Sequence, residues 1–147
     1  MHLSVVLHTS PRRASLELTL SALARQPCPG TDFEVIVVDD GSTDSTGEWL
    51  QTLKTSYPLK AITQTNGGPS KARNRGVNEA SGEVIVFIDD DTEPAEDFLS
   101  THATLHSENA PLAVIGPMVP DTSRREPVWI AWEHAMLQKQ YDAFARR

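Results

Sequence analysis

Six of the chain's ten aspartates fall in two short stretches, Asp39-Asp40-Gly41-Ser42-Thr43-Asp44 and Asp89-Asp90-Asp91. Between them lies Gly68-Pro69-Ser70-Lys71-Ala72-Arg73-Asn74-Arg75, with three cations in five residues. Asp89, Asp90 and Asp91 cannot stay close together and ionised at low cost. At ~4 Å two like charges repel by roughly 4 kcal/mol for an effective dielectric of 20. A divalent cation turns that repulsion into attraction, and hard carboxylate oxygens suit Mg²⁺ or Mn²⁺. Mg²⁺ is usually held by one or two carboxylates together with substrate phosphates, so the triplet predicts a metal that bridges protein and diphosphate. The cationic stretch fits the same ligand. It opens a predicted helix, whose N-terminal amides favour anions, and Lys71, Arg73 and Arg75 add charge for phosphate. A carboxylate such as Asp40 can accept hydrogen bonds from a nucleobase imide or a ribose hydroxyl, and Gly41 permits close backbone approach. The ligand these groups describe together is a nucleoside diphosphate, with or without a further group attached.

The elements that must position them alternate in type. Leu3–Leu7 reads as a first strand, and Ser10-Pro11 as a helix start with serine as cap and proline in the first turn. Leu16, Leu20 and Leu23 share one face of that helix, which Pro27–Gly30 stops. Phe33–Val38 is a nearly continuous apolar run, suited to a strand buried on both faces. A helix is expected over Thr43–Thr55, with Ser45 and Glu48 at capping-box spacing. A weaker strand over Leu59–Thr65 precedes a helix from Gly68-Pro69 to about Ala80. Val84–Ile88 is the strongest strand signal, and Pro94 stands near the start of the next helix. Leu112–Ile115 is a fifth strand candidate, 121–127 a polar loop, and Val128–Phe144 a final helix. Repeated βα units predict a parallel α/β sheet covered by helices, with ligands beyond the carboxyl ends of its strands. Both acidic stretches stand at such ends.

The 147 residues are read as one domain spanning 1–147, and a net charge of −7 argues against a nucleic-acid partner. The single cysteine, Cys28, forms no internal disulfide and has no activating neighbour in sequence, so it is expected to be inert. No secretory signal is visible and no apolar run could cross a bilayer. A cytoplasmic setting is the default expectation, and peripheral contact with the inner face of the membrane remains compatible with it.

Three segments carry a family resemblance: Val37-Val38-Asp39-Asp40-Gly41-Ser42-Thr43-Asp44, Asn66-Gly67-Gly68-Pro69-Ser70-Lys71-Ala72-Arg73-Asn74-Arg75-Gly76 and Phe87-Ile88-Asp89-Asp90-Asp91. In this order and spacing they resemble the nucleotide-sugar-binding half of family 2 glycosyltransferases, over residues 3–118. The resemblance implies a GT-A, Rossmann-like, mostly parallel sheet covered by helices. It implies metal-dependent, inverting transfer of a sugar from a nucleotide-diphosphate sugar, a UDP-sugar above all, to an unidentified glycan, lipid or protein acceptor. Asp40 would contact the base, with Asp39 supporting the loop. Arg73 and Lys71 would lie near the base or diphosphate. Asp89 and Asp91 would form the DxD motif, Asp91 as direct metal ligand and Asp89 through ribose or water, with Asp90 at the variable position. Where the family often reads Pro-Thr-Tyr-Asn after the first strand, this chain reads His8-Thr9-Ser10-Pro11, which puts His8 and Thr9 along the base pocket. The family's acceptor-binding part and catalytic base follow the equivalent of Arg147, so both are expected beyond this sequence. Self-association through the surface they would cover is a corollary.

Other features have plainer readings. His102 and His106 belong to an ordinary amphipathic face, Glu133-His134 to a helix surface, and Trp129 and Trp132 to packing. Two alternative functions stay open on sequence grounds. One is a non-catalytic nucleotide-sugar-binding module. The other is a phosphoacceptor receiver-like domain, whose acidic strand ends Asp39-Asp40 and Asp90 roughly mimic.

Overall fold

The structure is a computed structural model that describes residues 1–27, 32–107, 111–120 and 127–145. It divides into two units, residues 1–111 and 112–147. The first unit alternates strands and helices: β1 (His2–Thr9), α1 (Arg13–Ala24), β2 (Asp32–Asp40), α2 (Thr46–Thr52), β3 (Leu59–Gln64), α3 (Pro69–Asn78), β4 (Val84–Phe87) and α4 (Phe98–Leu105). The four strands form one sheet in the order β3-β2-β1-β4, and every pairing is parallel.

The apolar runs explain this sheet. Strands buried on both faces need apolar residues at consecutive positions, and Val5, Val6, Leu7, Val35, Ile36, Val37 and Val38 are all buried. One face takes Leu16, Leu20 and Leu23 of α1, Leu50 of α2 and Leu99 of α4 against Val5, Leu7, Val35 and Val37. The other takes Ala72 of α3 against Val6, Ile36 and Val38. α3 approaches that face closely at Gly76, where an added Cβ would collide with Val6 Cγ1. Gly76→Ala is therefore expected to cost about 1–3 kcal/mol through overpacking, read as a lower denaturant midpoint. An unchanged midpoint would contradict the close approach.

Several local expectations are corrected. β1 runs on to Thr9, so Ser10 does not cap α1; the residue before that helix is Arg12, and it makes no side-chain cap bond. α2 is shorter than the 43–55 segment. Ser45 takes a left-handed conformation at φ 60°, and its side chain forms no cap. Asp44 does that work instead, its Oδ1 accepting from the Thr46 amide and hydroxyl. α4 begins at Phe98, four residues after Pro94. Leu112–Ile115 forms no strand, and Ile115 is exposed. A short apolar run with no described strand beside it lacks the ladder that would hold it extended. Cys28, Pro29, Gly30 and residues 121–126 lie outside the described residues.

The second unit contains α5 (Val128–Ala145). Trp129 and Trp132 are about two-thirds exposed, at 66% and 67%, so their expected packing role is not met. The apolar residues of this helix spread around its circumference instead of forming one stripe. No helix among the described residues is long and apolar enough to cross a membrane.

Candidate functional site

The strand order places the site. From β1 the chain steps one way to β2 and β3, and the later β4 pairs on β1's other side. The switch point lies between β1 and β4, and ligands of open parallel sheets bind beyond the carboxyl ends of the strands at such a point. The loop after β1 and the acidic triplet after β4 meet at that point.

Consecutive residues of the triplet do different things. Asp90 is buried and accepts a 2.6 Å hydrogen bond from Thr9 Oγ1, while Thr19 Oγ1 donates to its carbonyl at 3.2 Å. Asp89 and Asp91 turn outward, and each meets a guanidinium. Arg73 reaches Asp89 Oδ1 at 2.6 Å, and Arg12 reaches Asp91 Oδ2 at 2.8 Å and Asp90 Oδ1 at 3.7 Å. Thr9 is thus a buried support for the triplet. It does not line an open pocket.

Asp39 and Asp40 end β2, and both are buried. Asp39 Oδ1 accepts from the Ser42 amide at 3.0 Å and so fixes the turn after the strand. Asp40 gathers three donors. Gln64 Nε2 (2.7 Å) and the Gly67 amide (2.9 Å) meet Oδ1, and the Gly68 amide (2.8 Å) meets Oδ2. Burial pushes this carboxyl up. The bonds from Gln64, Gly67 and Gly68, with the field of His8, outweigh burial and hold it below the ordinary carboxylate value. A carboxylate has about four acceptor sites, so Asp40 keeps roughly one for an incoming donor. His8 adds a buried Nδ1 that has no hydrogen-bond partner among the described residues.

The cationic stretch divides. Arg73 joins the triplet, while Lys71 lies over Gly67, where a Cβ would strike its Cδ. Arg75 points away and pairs with Glu79 at 2.8 Å, beside Lys60. Its expected part in phosphate neutralisation is corrected, because position 75 lies a turn and a half beyond the N-terminus of α3. Gly68, at φ 86°, precedes Pro69 and sets the chain's entry into α3.

Arg12 is the residue that sequence reasoning missed. Its signal was its place just past β1, but that carries weight only once β1 is known to lie between β2 and β4.

The donor set suits a divalent cation of limited kind. Asp89 and Asp91 offer outward, hard oxygens at neighbouring positions. No group of three or more His, Cys, Asp or Glu among the described residues forms a closed cage. Such a site fits a cation that takes its remaining ligands from phosphate and water.

Comparison with known proteins decides the family. The model of glycosyl transferase family 2 matches residues 4–146. The chain belongs to this family. Among relatives, the poly(ribitol-phosphate) beta-N-acetylglucosaminyltransferase TarS of Staphylococcus aureus is 38% identical over 93 residues, covering 62% of this chain and 16% of TarS. Validoxylamine A glucosyltransferase of Streptomyces hygroscopicus subsp. limoneus is 36% identical over 115 residues, covering 77% and 25%. The chain thus spans a quarter or less of either relative. Among solved structures, S. aureus TarS 1-349 in complex with UDP-GlcNAc superposes with a TM-score of 0.68 at 33% identity, covering 86% of this chain and 39% of that one. The mannosyltransferase PcManGT of Pyrobaculum calidifontis, with GDP-Man and Mn²⁺, gives 0.62 at 27%, covering 73% and 32%. The sheet is the GT-A-like fold of these enzymes. Membership leaves the receiver-like alternative without support.

Proposed function

We propose that this chain is the donor-binding half of a metal-dependent, inverting glycosyltransferase that uses a UDP-sugar. The observation that carries the reading is the pairing of Asp89 and Asp91 with Arg73 and Arg12 at the β1/β4 switch point. Acidic and basic groups interleaved at one strand junction suit a ligand that brings both a cation and phosphates. The solved relatives with UDP-GlcNAc, UDP, and GDP-Man with Mn²⁺ support the same ligand class.

In this reading Asp91 ligates the cation, and Asp89 acts through ribose or water. Lys71 and Arg73 neutralise diphosphate charge. Asp40 holds Gly67 and Gly68 in place and uses its remaining acceptor site on the base. Asp39 keeps the adjoining turn closed, His8 faces the nucleotide, and Thr9 steadies Asp90 behind the site. A bound Mg²⁺ or Mn²⁺ supplies charge neutralisation to the departing nucleoside diphosphate. Deprotonation of the acceptor hydroxyl in this reaction falls to a carboxylate base.

Isothermal titration with UDP, with and without Mn²⁺, is expected to show binding that the metal strengthens. Absence of UDP binding under both conditions would overturn the proposal. A donor-hydrolysis assay then separates a catalytic half from a non-catalytic nucleotide-sugar-binding module, which would bind without turnover.

A further inference from the structure

Asp91 and Arg12 bear on one another unequally. Asp91 is fixed from behind. Its neighbour Asp90 is pinned to β1 through Thr9 and to α1 through Thr19, so the triplet's backbone has little freedom. Arg12 is the longer partner, with more rotamers open to it. It precedes the first turn of α1, no side-chain cap bond ties it there, and its side chain is 58% exposed. A second carboxylate, Asp90, lies 3.7 Å from its Nη1, beyond hydrogen-bond distance and already bonded by Thr9, so Asp91 is its close anionic partner. Its 2.8 Å bond to Asp91 Oδ2 occupies an oxygen that a cation would need.

We propose that Arg12 is an internal counter-ion that pairs with Asp91 and yields it when cation and diphosphate arrive together. Free divalent metal must displace a guanidinium from Asp91 while bringing no anion to receive it. Metal accompanied by a diphosphate brings two phosphoryl groups that restore the charge balance. Arg12 thereby makes metal affinity depend on nucleotide, and by linkage nucleotide affinity depends on metal by the same factor. Arg12 is thus a positioning residue. The inference rests on the reading of Asp91 as a metal ligand.

The test is Mn²⁺ binding to the full chain without nucleotide, followed by spin resonance of free Mn²⁺ up to millimolar concentration. It is repeated with saturating UDP, for the parent, Arg12→Gln and Asp91→Asn. Arg12→Gln is expected to bind free Mn²⁺ roughly fivefold more tightly than the parent, the upper end for loss of an exposed ion pair. The enhancement that UDP gives to Mn²⁺ affinity should shrink by the same factor. Arg12 is exposed, so unchanged circular dichroism is expected for the variant. If Arg12→Gln binds free Mn²⁺ no better than the parent while Asp91→Asn loses Mn²⁺ in the presence of UDP, the counter-ion role is overturned and the metal site stands. If Asp91→Asn binds Mn²⁺ with UDP as the parent does, the metal-ligand reading fails and takes this inference with it.

Discussion

Asp91→Ala is expected to weaken UDP binding about tenfold to a hundredfold in the presence of Mn²⁺, and the loss should disappear in EDTA. The size follows from the contact removed. A hydrogen bond or ligand contact to a charged group is worth about 1.5–3 kcal/mol, and each ~1.4 kcal/mol is tenfold in affinity. The dependence on metal is the informative part. Asp91 is outward-facing, its side chain 53% exposed and paired with Arg12, so removing it opens no hole in the core. Its loss should register through the cation alone. Isothermal titration under the two conditions checks this. An equal loss in EDTA would mean that Asp91 meets the nucleotide directly or shapes the loop.

Asp40→Ala should act in a different place. This carboxylate is 3% exposed and holds Gln64 and the Gly67 and Gly68 amides. Truncation strands these donors around a cavity. Removing one side of a buried charged network costs about 3 kcal/mol or more. Native stabilities are only about 5–15 kcal/mol, so the urea midpoint should fall sharply. Because Gly67 and Gly68 set the entry of α3, UDP binding and discrimination between uracil and other bases should fall with it. Unchanged base preference in the folded variant would remove Asp40 from base recognition.

The acid limb of stability offers a further check on the same residue. Asp40 is held below the ordinary carboxylate value when folded. The native state therefore binds its proton less readily than the unfolded chain does. Its contribution is complete above the unfolded carboxylate range and is lost as pH falls through the lower folded value. Asp40→Asn keeps the shape and removes the titration. It should be less stable than the parent near neutrality, and the gap should narrow towards strongly acidic pH. A constant gap would mean that the charge is not what the folded state uses.

How much was legible in advance varied with the physics involved. The four strands were readable because burial on both faces forces consecutive apolar residues, as in Phe33–Val38 and Val84–Ile88. Helix α1 was readable because Leu16, Leu20 and Leu23 repeat at helical spacing. The caps were not readable, because Ser10 and Ser45 are good capping residues that local geometry leaves unused, while Asp44 takes over at Thr46. Leu112–Ile115 misled because a strand requires a partner, and a partner is a tertiary fact. The site showed the same division. The acidic and basic clusters stood out by composition. Which carboxylate faces inward depends on side-chain alternation at the end of β4, and Arg12 enters only through strand order. Asp90 thus became a buried anchor, Thr9 its support, and Arg75 a surface ion pair with Glu79.

The hydrogen bond from Thr9 to Asp90 joins residues 81 apart in the chain, and that from Thr19 to the Asp90 carbonyl joins residues 71 apart. Contacts of such long range pay their loop-closure entropy before they return any stabilisation, and parallel sheets rich in them fold slowly. During refolding, the hydrophobic cluster of α1, β1 and β2 can assemble while the acidic loop after β4 is still without shape. The final placement of the acidic triplet is thus among the last features the chain acquires, arriving only when β4 docks beside β1.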